Sequence, residues 1–595
     1  MRPAVVFLVL AVVLVCGVFA SHERHYAPDK DFLHLFGSSV TGSYTSSRRL
    51  VPDASVGGGI SCAGCTIVVG VMSQLVVVKN SSAENVVDHF CDLLPVVFEE
   101  PCLSFTNKYG PAIIELLEAS ASADEVCRGI KICTDPTCNL FPASGLREKL
   151  LFANLPPLKE VGAGATPPPK ETPWEWFIQQ MDRVFNSHEP LIDIDSDFYS
   201  TTETFRGFHW RGRDCNDVDG SIQPGVATDS SSSVDSNCNG IVGEDGQQHS
   251  YEELFCQGSD AMGVAILGDS AAAHFHLPPS WLNATAMNDD TFKDLVEIAS
   301  DEVDWPMMSW ATGFMNSTWK GAPSTDPHWL PDDAPDGAHS IYLKMRERNR
   351  CIHRDYQNIA VNGARVGAMS NGIIHSFARN AKRDRPVLTF YALIGNDVCN
   401  GHEDTLQHMT TPAEFKIAVN SSLTTLNDQL PPGSVVMFIG LVDGRILYDS
   451  MHNKVHPIGS LYGDVDYASM YTFLNCLSIS PCRGWLNTNE TLRNLTSQRA
   501  AELSAVYQEV IDEYTGHLNV KYMPFALPTV LQWWAEQGGE SWELIEPSDG
   551  FHPNQVAHAL LSKFTWEALE KMNILPPENP HNADIEKIFG NQGGY

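Results

Sequence analysis

Two unlike folds are expected along the 595-residue chain: a small all-α module cross-linked by disulfides, then a larger α/β layered domain on a parallel sheet. Three observations carry this. Cysteines at 62, 65, 91, 102, 127 and 133 are separated by apolar residues at helical spacing. From residue 263 onward, apolar runs ("GVAILGDS", "PVLTFYALIGND", "SVVMFIGLVDG", "VKYMPFAL") alternate with longer helical or loop stretches, as strands buried on both faces do. Between the two, "LPPLKEVGAGATPPPKETP" at 155–173 reads as a semi-rigid linker.

Residues 1–20, "MRPAVVFLVLAVVLVCGVFA", combine Arg2, an apolar run and small residues near Ala20, the pattern of a cleaved secretion signal. No later stretch is expected to reach the roughly 20 apolar residues of a membrane span. Residues 21–58 are rich in Ser and Gly and read as a leader, with Arg48-Arg49 as a processing site. Secretion, into the medium or a vesicle lumen, makes disulfides the default for the 14 cysteines left when Cys16 is taken from 15. Asn80, Asn283, Asn316, Asn420, Asn489 and Asn494 are glycosylation acceptors on the same route. The net charge of -34 opposes binding to nucleic acid.

Residues 59–142 form the first module. Its helical apolar positions are Ile67, Val68, Val71, Met72 and Leu75, then Val86, Val87, Phe90 and Leu94, then Ile113, Ile114 and Leu117. Six cysteines alone permit 15 connectivities. The CxxC start, central pair and closing pair resemble a saposin B-type domain. That resemblance implies pairs Cys62 with Cys133, Cys65 with Cys127 and Cys91 with Cys102, and contact with lipid or a membrane surface. The alternative is a module serving only the folding or secretion of the rest of the chain. Residues 143–175 are the linker, which carries no dibasic site.

Residues 176–250 hold an acidic tract: "DIDSDFY" at 193–199, "RDCNDVDG" at 213–220 and "VDSNCNGIVGED" at 234–245. Asp and Asn at alternate positions let a loop turn an oxygen inward at every second residue, as Ca²⁺ requires. The candidate ligands are Asp193, Asp195, Asp197, Asp214, Asn216, Asp217, Asp219, Asp235, Asn237, Asn239 and Asp245, with backbone carbonyls near Tyr199, Val218 and Ile241. The tract resembles Asp-rich calcium-binding repeats of secreted proteins, and Cys215 and Cys238 are expected to pair and clamp it. The expected role of calcium is structural.

In residues 251–595, Ser270 ends the first strand as a helix begins, so its hydroxyl projects at the sheet edge with backbone N–H groups beside it. The small residues at 271–273 are expected to leave space for substrate. A plain turn with Ser as helix cap would explain this stretch alone. Taken with "NIAVNGAR", "LIGNDV" and "EPSDGFHPNQ", it resembles the GDSL or SGNH hydrolases, implying a three-layer, flavodoxin-like α/β fold. The roles implied are Ser270 as nucleophile, His552 as base and Asp549 as its orienting acid, with Ser270, Gly363 and Asn396 forming the oxyanion hole. Asp269 braces the turn. His274 and His276 sit too close in sequence to reach back as the base, and His209 and His353 read as structural.

The order of saposin module, calcium tract and hydrolase domain resembles secreted lipid acyl hydrolases. The implied substrates are the secondary, acyloxyacyl-linked chains of the lipid A of bacterial lipopolysaccharide, and phospholipids. A general phospholipase, or a lipid-transfer protein with an inert hydrolase domain, are the alternatives. Arg346, Arg348, Arg350 and Arg354 form either a solvated basic face or a site for lipid phosphates. Cys138 is expected, by resemblance, to reach Cys476 or Cys482, tying together two subunits cut from one precursor.

Overall fold

The computed structural model describes residues 59–145, 152, 155, 172–315 and 340–595. The expected signal and leader, most of the linker and Asn316 lie outside the described residues.

The first module packs helices α1 (Gly59–Val78), α2 (Ala83–His89), α3 (Val96–Glu118) and α4 (Ala123–Gly129). Disulfides join Cys62 to Cys133, Cys65 to Cys127 and Cys91 to Cys102. Serine starts two of these helices: Ser82 caps α2 and Ser122 closes a capping box with Glu125 on α4. Of the predicted core positions, Ile114 and Leu117 are only partly buried, and Leu116 takes the inward place. The expectation about spans meets one exception. α1 is 20 residues long and apolar enough to cross a membrane, yet most of it is buried within the protein. It is a core helix whose apolar faces are covered by its neighbours and pinned by two disulfides.

Helix α5 (Pro173–Ser187) resumes the described chain and stacks back on the module, Trp174 and Phe177 lying 5.7 and 5.6 Å from the Phe98 ring. Two further ties join the module to the large domain: the Cys138–Cys476 disulfide, and Gln74 donating to the Ile458 carbonyl at 2.6 Å.

The large domain is a five-stranded sheet in the order β2-β1-β3-β4-β5, with every pair parallel: β1 (Gly263–Gly268), β2 (Tyr356–Asn358), β3 (Val387–Ala392), β4 (Val435–Ile439) and β5 (Asn519–Met523). Side chains alternate between two cores. Val264, Ile266, Leu388 and Phe390 face one that includes helix Gln555–Lys571 and runs on into the first module. Ala265, Leu267, Tyr391 and Phe438 face the other, covered by helices Pro412–Gln429 and Glu490–Glu513. This is a three-layer α/β sandwich, and the strand order reverses between β1 and β3, where such folds bind ligands at the strands' carboxyl ends. β2 is absent from the strands read in the sequence. It is three residues long, Tyr-Gln-Asn, and its polar side chains are buried by specific bonds such as Gln357 donating to the Ala378 carbonyl at 2.7 Å.

Candidate active site

β1 ends on Gly268, where a Cβ would meet the Ala272 side chain at 2.5 Å, so only glycine lets the chain turn sharply into Ser270–Ala273. Asp269 caps that turn through Oδ1, accepting from the Ala271 N–H at 3.1 Å. Its Oδ2 accepts the N–H groups of Ile394 and Gly395 at 2.7 and 3.1 Å. One buried carboxylate thus locks the ends of β1 and β3 together, and burial raises its pKa above the ordinary value. Ala271 faces the cleft, but Ala272 and Ala273 are fully buried. The expected substrate space at 271–273 therefore shrinks to one residue, because the other two pack the turn against the sheet.

His552 arrives from the far end of the chain, with Nε2 2.7 Å from Ser270 Oγ and Nδ1 2.5 Å from Asp549 Oδ2. A carboxylate only accepts, so the Nδ1 proton lies toward Asp549 and Nε2 is left to accept from the serine hydroxyl. Asp549 Oδ1 takes the N–H groups of Phe551 and His552 at 2.8 and 3.2 Å, so the acid is fixed by the loop it serves. Gly550 has φ +64, and the left-handed turn there brings an acid and a base three residues apart face to face.

Asn396, just past β3, lines the same cleft as Ser270 and His552. Gly363, with φ +76, lies on the turn after β2, two residues beyond Val361, whose N–H donates to Gly268 O at 3.1 Å. It shares the sheet end with Ser270. The cleft encloses about 680 Å³ including its open mouth, and apart from Ser270, Asp269, Asn396 and His552 its walls are largely aliphatic and aromatic, among them Val442, Leu447, Trp485, Phe525, Leu531 and Leu544. Such a surface accepts a hydrocarbon chain, about 0.8 kcal/mol favouring each CH₂ buried.

His274 and His276 lie past the end of the helix, fully buried and outside the cleft lining. His209 bonds Asp301 at 2.5 Å, and His353 bonds Arg346 and the Gly594 carbonyl. The four arginines are half-buried and bonded to the protein's own later residues. Arg346 reaches Asn591 at 2.9 Å, Arg348 the Pro576 carbonyl, Arg350 Glu586 at 3.1 Å, and Arg354 the Gly594 carbonyl at 2.7 Å. They hold the last segment of the chain, a long-range contact that local spacing cannot reveal.

In the acidic tract the alternation is physical: Asp193, Asp195 and Asp197 turn in, while Ile192, Ile194 and Ser196 are exposed. Ligand atoms of Asp193, Asp195 and Asp197, and of Asp195, Asp214 and Asp217, lie within 4.8 Å of one another. Both Asp195 oxygens, Asp197 Oδ2 and Asp214 Oδ2 are buried without a hydrogen-bond partner. Burial, with the facing carboxylates adding to it, pushes Asp197 up to about 7 and Asp214 to about 6. Stranded oxygens of like charge fit a hard divalent cation. Asn216 donates its backbone N–H to Asp214 and joins the same loop.

Asp235, Asn237 and Asn239 form a second turn. Both Asp235 oxygens accept backbone N–H groups, and Asn239 Oδ1 accepts from Ile241 at 2.7 Å. Asp229 and Glu252, absent from the candidate ligands, face Asp235, and burial together with these charges raises Asp229 to about 7. Asp229 stands beside a run of serines whose composition signals only a loop. Asp219 is exposed and turned onto Ser221, and Asp245 holds the 245–249 turn and His249, so neither carboxylate joins the inner clusters. Cys215 pairs with Cys238, and Cys256–Cys351 and Cys399–Cys482 complete the disulfides among the described residues.

Residues 61–154 match the Saposin-like domain family, and residues 264–564 match the GDSL-like Lipase/Acylhydrolase family. The chain is 40% identical to the acyloxyacyl hydrolase of Mus musculus, with 91% of this chain and 95% of the relative covered. It is also 40% identical to that of Homo sapiens, with 91% and 94% covered, and to that of Oryctolagus cuniculus, with 90% and 93% covered.

Proposed function

Because the chain belongs to the acyloxyacyl hydrolase family and is an ester hydrolase with a GDSL-type acylhydrolase domain, we propose that it removes secondary fatty acyl chains from the lipid A of bacterial lipopolysaccharide and so detoxifies it. Ser270 is the nucleophile of this reading. The observation that carries it is the Asp549–His552–Ser270 relay opening on an apolar cleft beside a saposin-like module.

The acyl chain lies along Leu531, Phe525 and Leu544, with its ester carbonyl at Ser270. Oγ attacks the carbonyl carbon as Nε2 of His552 takes the hydroxyl proton, and Asp549 stabilises the imidazolium without itself becoming protonated. The oxyanion receives N–H donors from the Ser270 and Gly363 backbones and the Asn396 amide, each typically worth about 3 to 4 kcal/mol. His552 then protonates the departing alcohol, the 3-hydroxyl of the remaining chain. Water deacylates the enzyme with His552 again acting as base. The saposin-like module supplies the apolar surface that draws lipid from its aggregate, and the molecule works as a secreted or vesicular enzyme.

Asp193, Asp195, Asp197, Asp214 and Asp217 would hold calcium, which neutralises their mutual repulsion and stabilises the fold. The deciding experiment incubates the protein and its Ser270→Ala variant with lipopolysaccharide and identifies the released acids by mass spectrometry. Release of hydroxyl-linked secondary chains by the parent alone supports the reading. Equal release by both removes the serine mechanism, and release only from phospholipid reassigns the substrate.

A further inference from the structure

The tripeptide His274-Phe275-His276 takes no part in the chemistry above, yet each of its side chains is fully buried against the segment that carries the base. The His274 ring stacks on His558 with centroids 3.8 Å apart. Phe275 lies on the imidazole of His552 itself, centroids 4.4 Å apart. His276 Nδ1 bonds Glu546 Oε2 at 3.0 Å, with both side chains at most 1% exposed. Glu546 in turn shapes the base loop: its N–H donates to the His552 carbonyl at 2.7 Å and its carbonyl accepts from Gly550 at 2.8 Å.

The other side of the tripeptide is anchored to the nucleophile. The N–H groups of His274 and Phe275 both donate to the Ser270 carbonyl at 3.1 Å. Trp305 donates to the His274 carbonyl at 2.8 Å, and its ring packs on His276 at 3.9 Å. Three consecutive residues therefore touch 546, 552 and 558, while their backbone grips residue 270.

We propose that His274, Phe275 and His276, with Glu546 and His558, are positioning residues that set the Ser270–His552 distance across 282 residues of sequence. A proton transfer between serine and imidazole depends steeply on this separation, and the two groups come from loops that share no strand pairing. A hydrogen bond between His276 and Glu546 inside the core is costly to leave half-made, so the two loops either dock in one register or not at all. The proposal rests on Ser270 and His552 being nucleophile and base.

The test uses a fluorophosphonate probe, which reacts with an activated serine without needing the lipid cleft, on the full-length calcium-loaded protein. Glu546→Leu and His276→Phe are each expected to lower the labelling rate per reactive site more than fivefold and kcat in parallel, with KM within twofold. Glu546→Gln, which can still accept from the imidazole, is expected to restore the rate to within threefold. Rates within fivefold for both apolar variants overturn the proposal. So does a loss confined to the labelled fraction at unchanged rate, since that reports only misfolding. Should either variant fail to fold, Phe275→Leu decides by the same fivefold criterion. Failure of the underlying reading shows separately, as labelling of the parent protein elsewhere than Ser270.

Discussion

Asn396 stands at the carboxyl end of β3 because Gly395 and Ile394 are held by Asp269, which leaves the next side chain no course but the cleft. Removing its amide takes one donor from the oxyanion. Asn396→Ala should lower kcat about a hundredfold, near 3 kcal/mol, while the melting temperature stays within a few degrees. Steady-state kinetics on a soluble short-chain ester check this. Another residue bears on acid stability. His456 is wholly buried, its Nδ1 accepting from Ile458 and its Nε2 facing the Ser548 carbonyl at 3.1 Å, and burial pushes its pKa down to about 4 from 6.5. The unfolded chain takes up this proton below about 6.5 and the native ring does not, so stability declines as pH falls from there toward 4. The loss is at most about 3 kcal/mol. Urea unfolding at pH 7 and pH 5 should show a smaller drop for His456→Gln than for the parent. The positions 270, 396, 549 and 552 were readable only through the joint resemblance of their short blocks to one hydrolase family, and the structure brings Ser270, Asp549 and His552 within hydrogen-bond reach. Sequence did not carry the arginines at 346–354, whose bonds to Asn591, Pro576 and Gly594 span more than 200 residues.

Four of the five strands were legible as apolar runs: β1, β3 and β4 are covered on both faces and so are almost wholly apolar, while edge strand β5 exposes Asn519 and Lys521 and buries Val520 and Met523. β2 was not, because an edge strand of Tyr, Gln and Asn is buried through named hydrogen bonds, which no hydropathy pattern reports. The helix Leu527–Glu536, not read in the sequence, walls the cleft through Leu527 and Leu531. This element sets how much hydrocarbon fits. Leu531→Trp should cut turnover of chains of twelve carbons or more at least fivefold, with little effect on four-carbon esters. A chain-length series of synthetic esters measures it. Equal effects at all lengths would remove this helix from the acyl path.

At the scale of the whole molecule, the acidic tract is where the proposed calcium would bear on stability. Carboxylates buried without partners are unfavourable alone, and a cation that binds only the folded state shifts the unfolding equilibrium toward it. Chelator should therefore lower the melting temperature at neutral pH, with Asp197→Asn and Asp214→Asn blunting the response. An unchanged melting curve in chelator would count against a bound metal.

The bridge from Cys138 to Cys476 also means that a polypeptide cut anywhere between residues 145 and 172 keeps both pieces on one covalent frame. Tethered in this way, each piece meets the other at an effective concentration on the order of millimolar, whatever the dilution outside. A cut in that interval would therefore leave the saposin-like module unable to drift from the domain that carries Ser270.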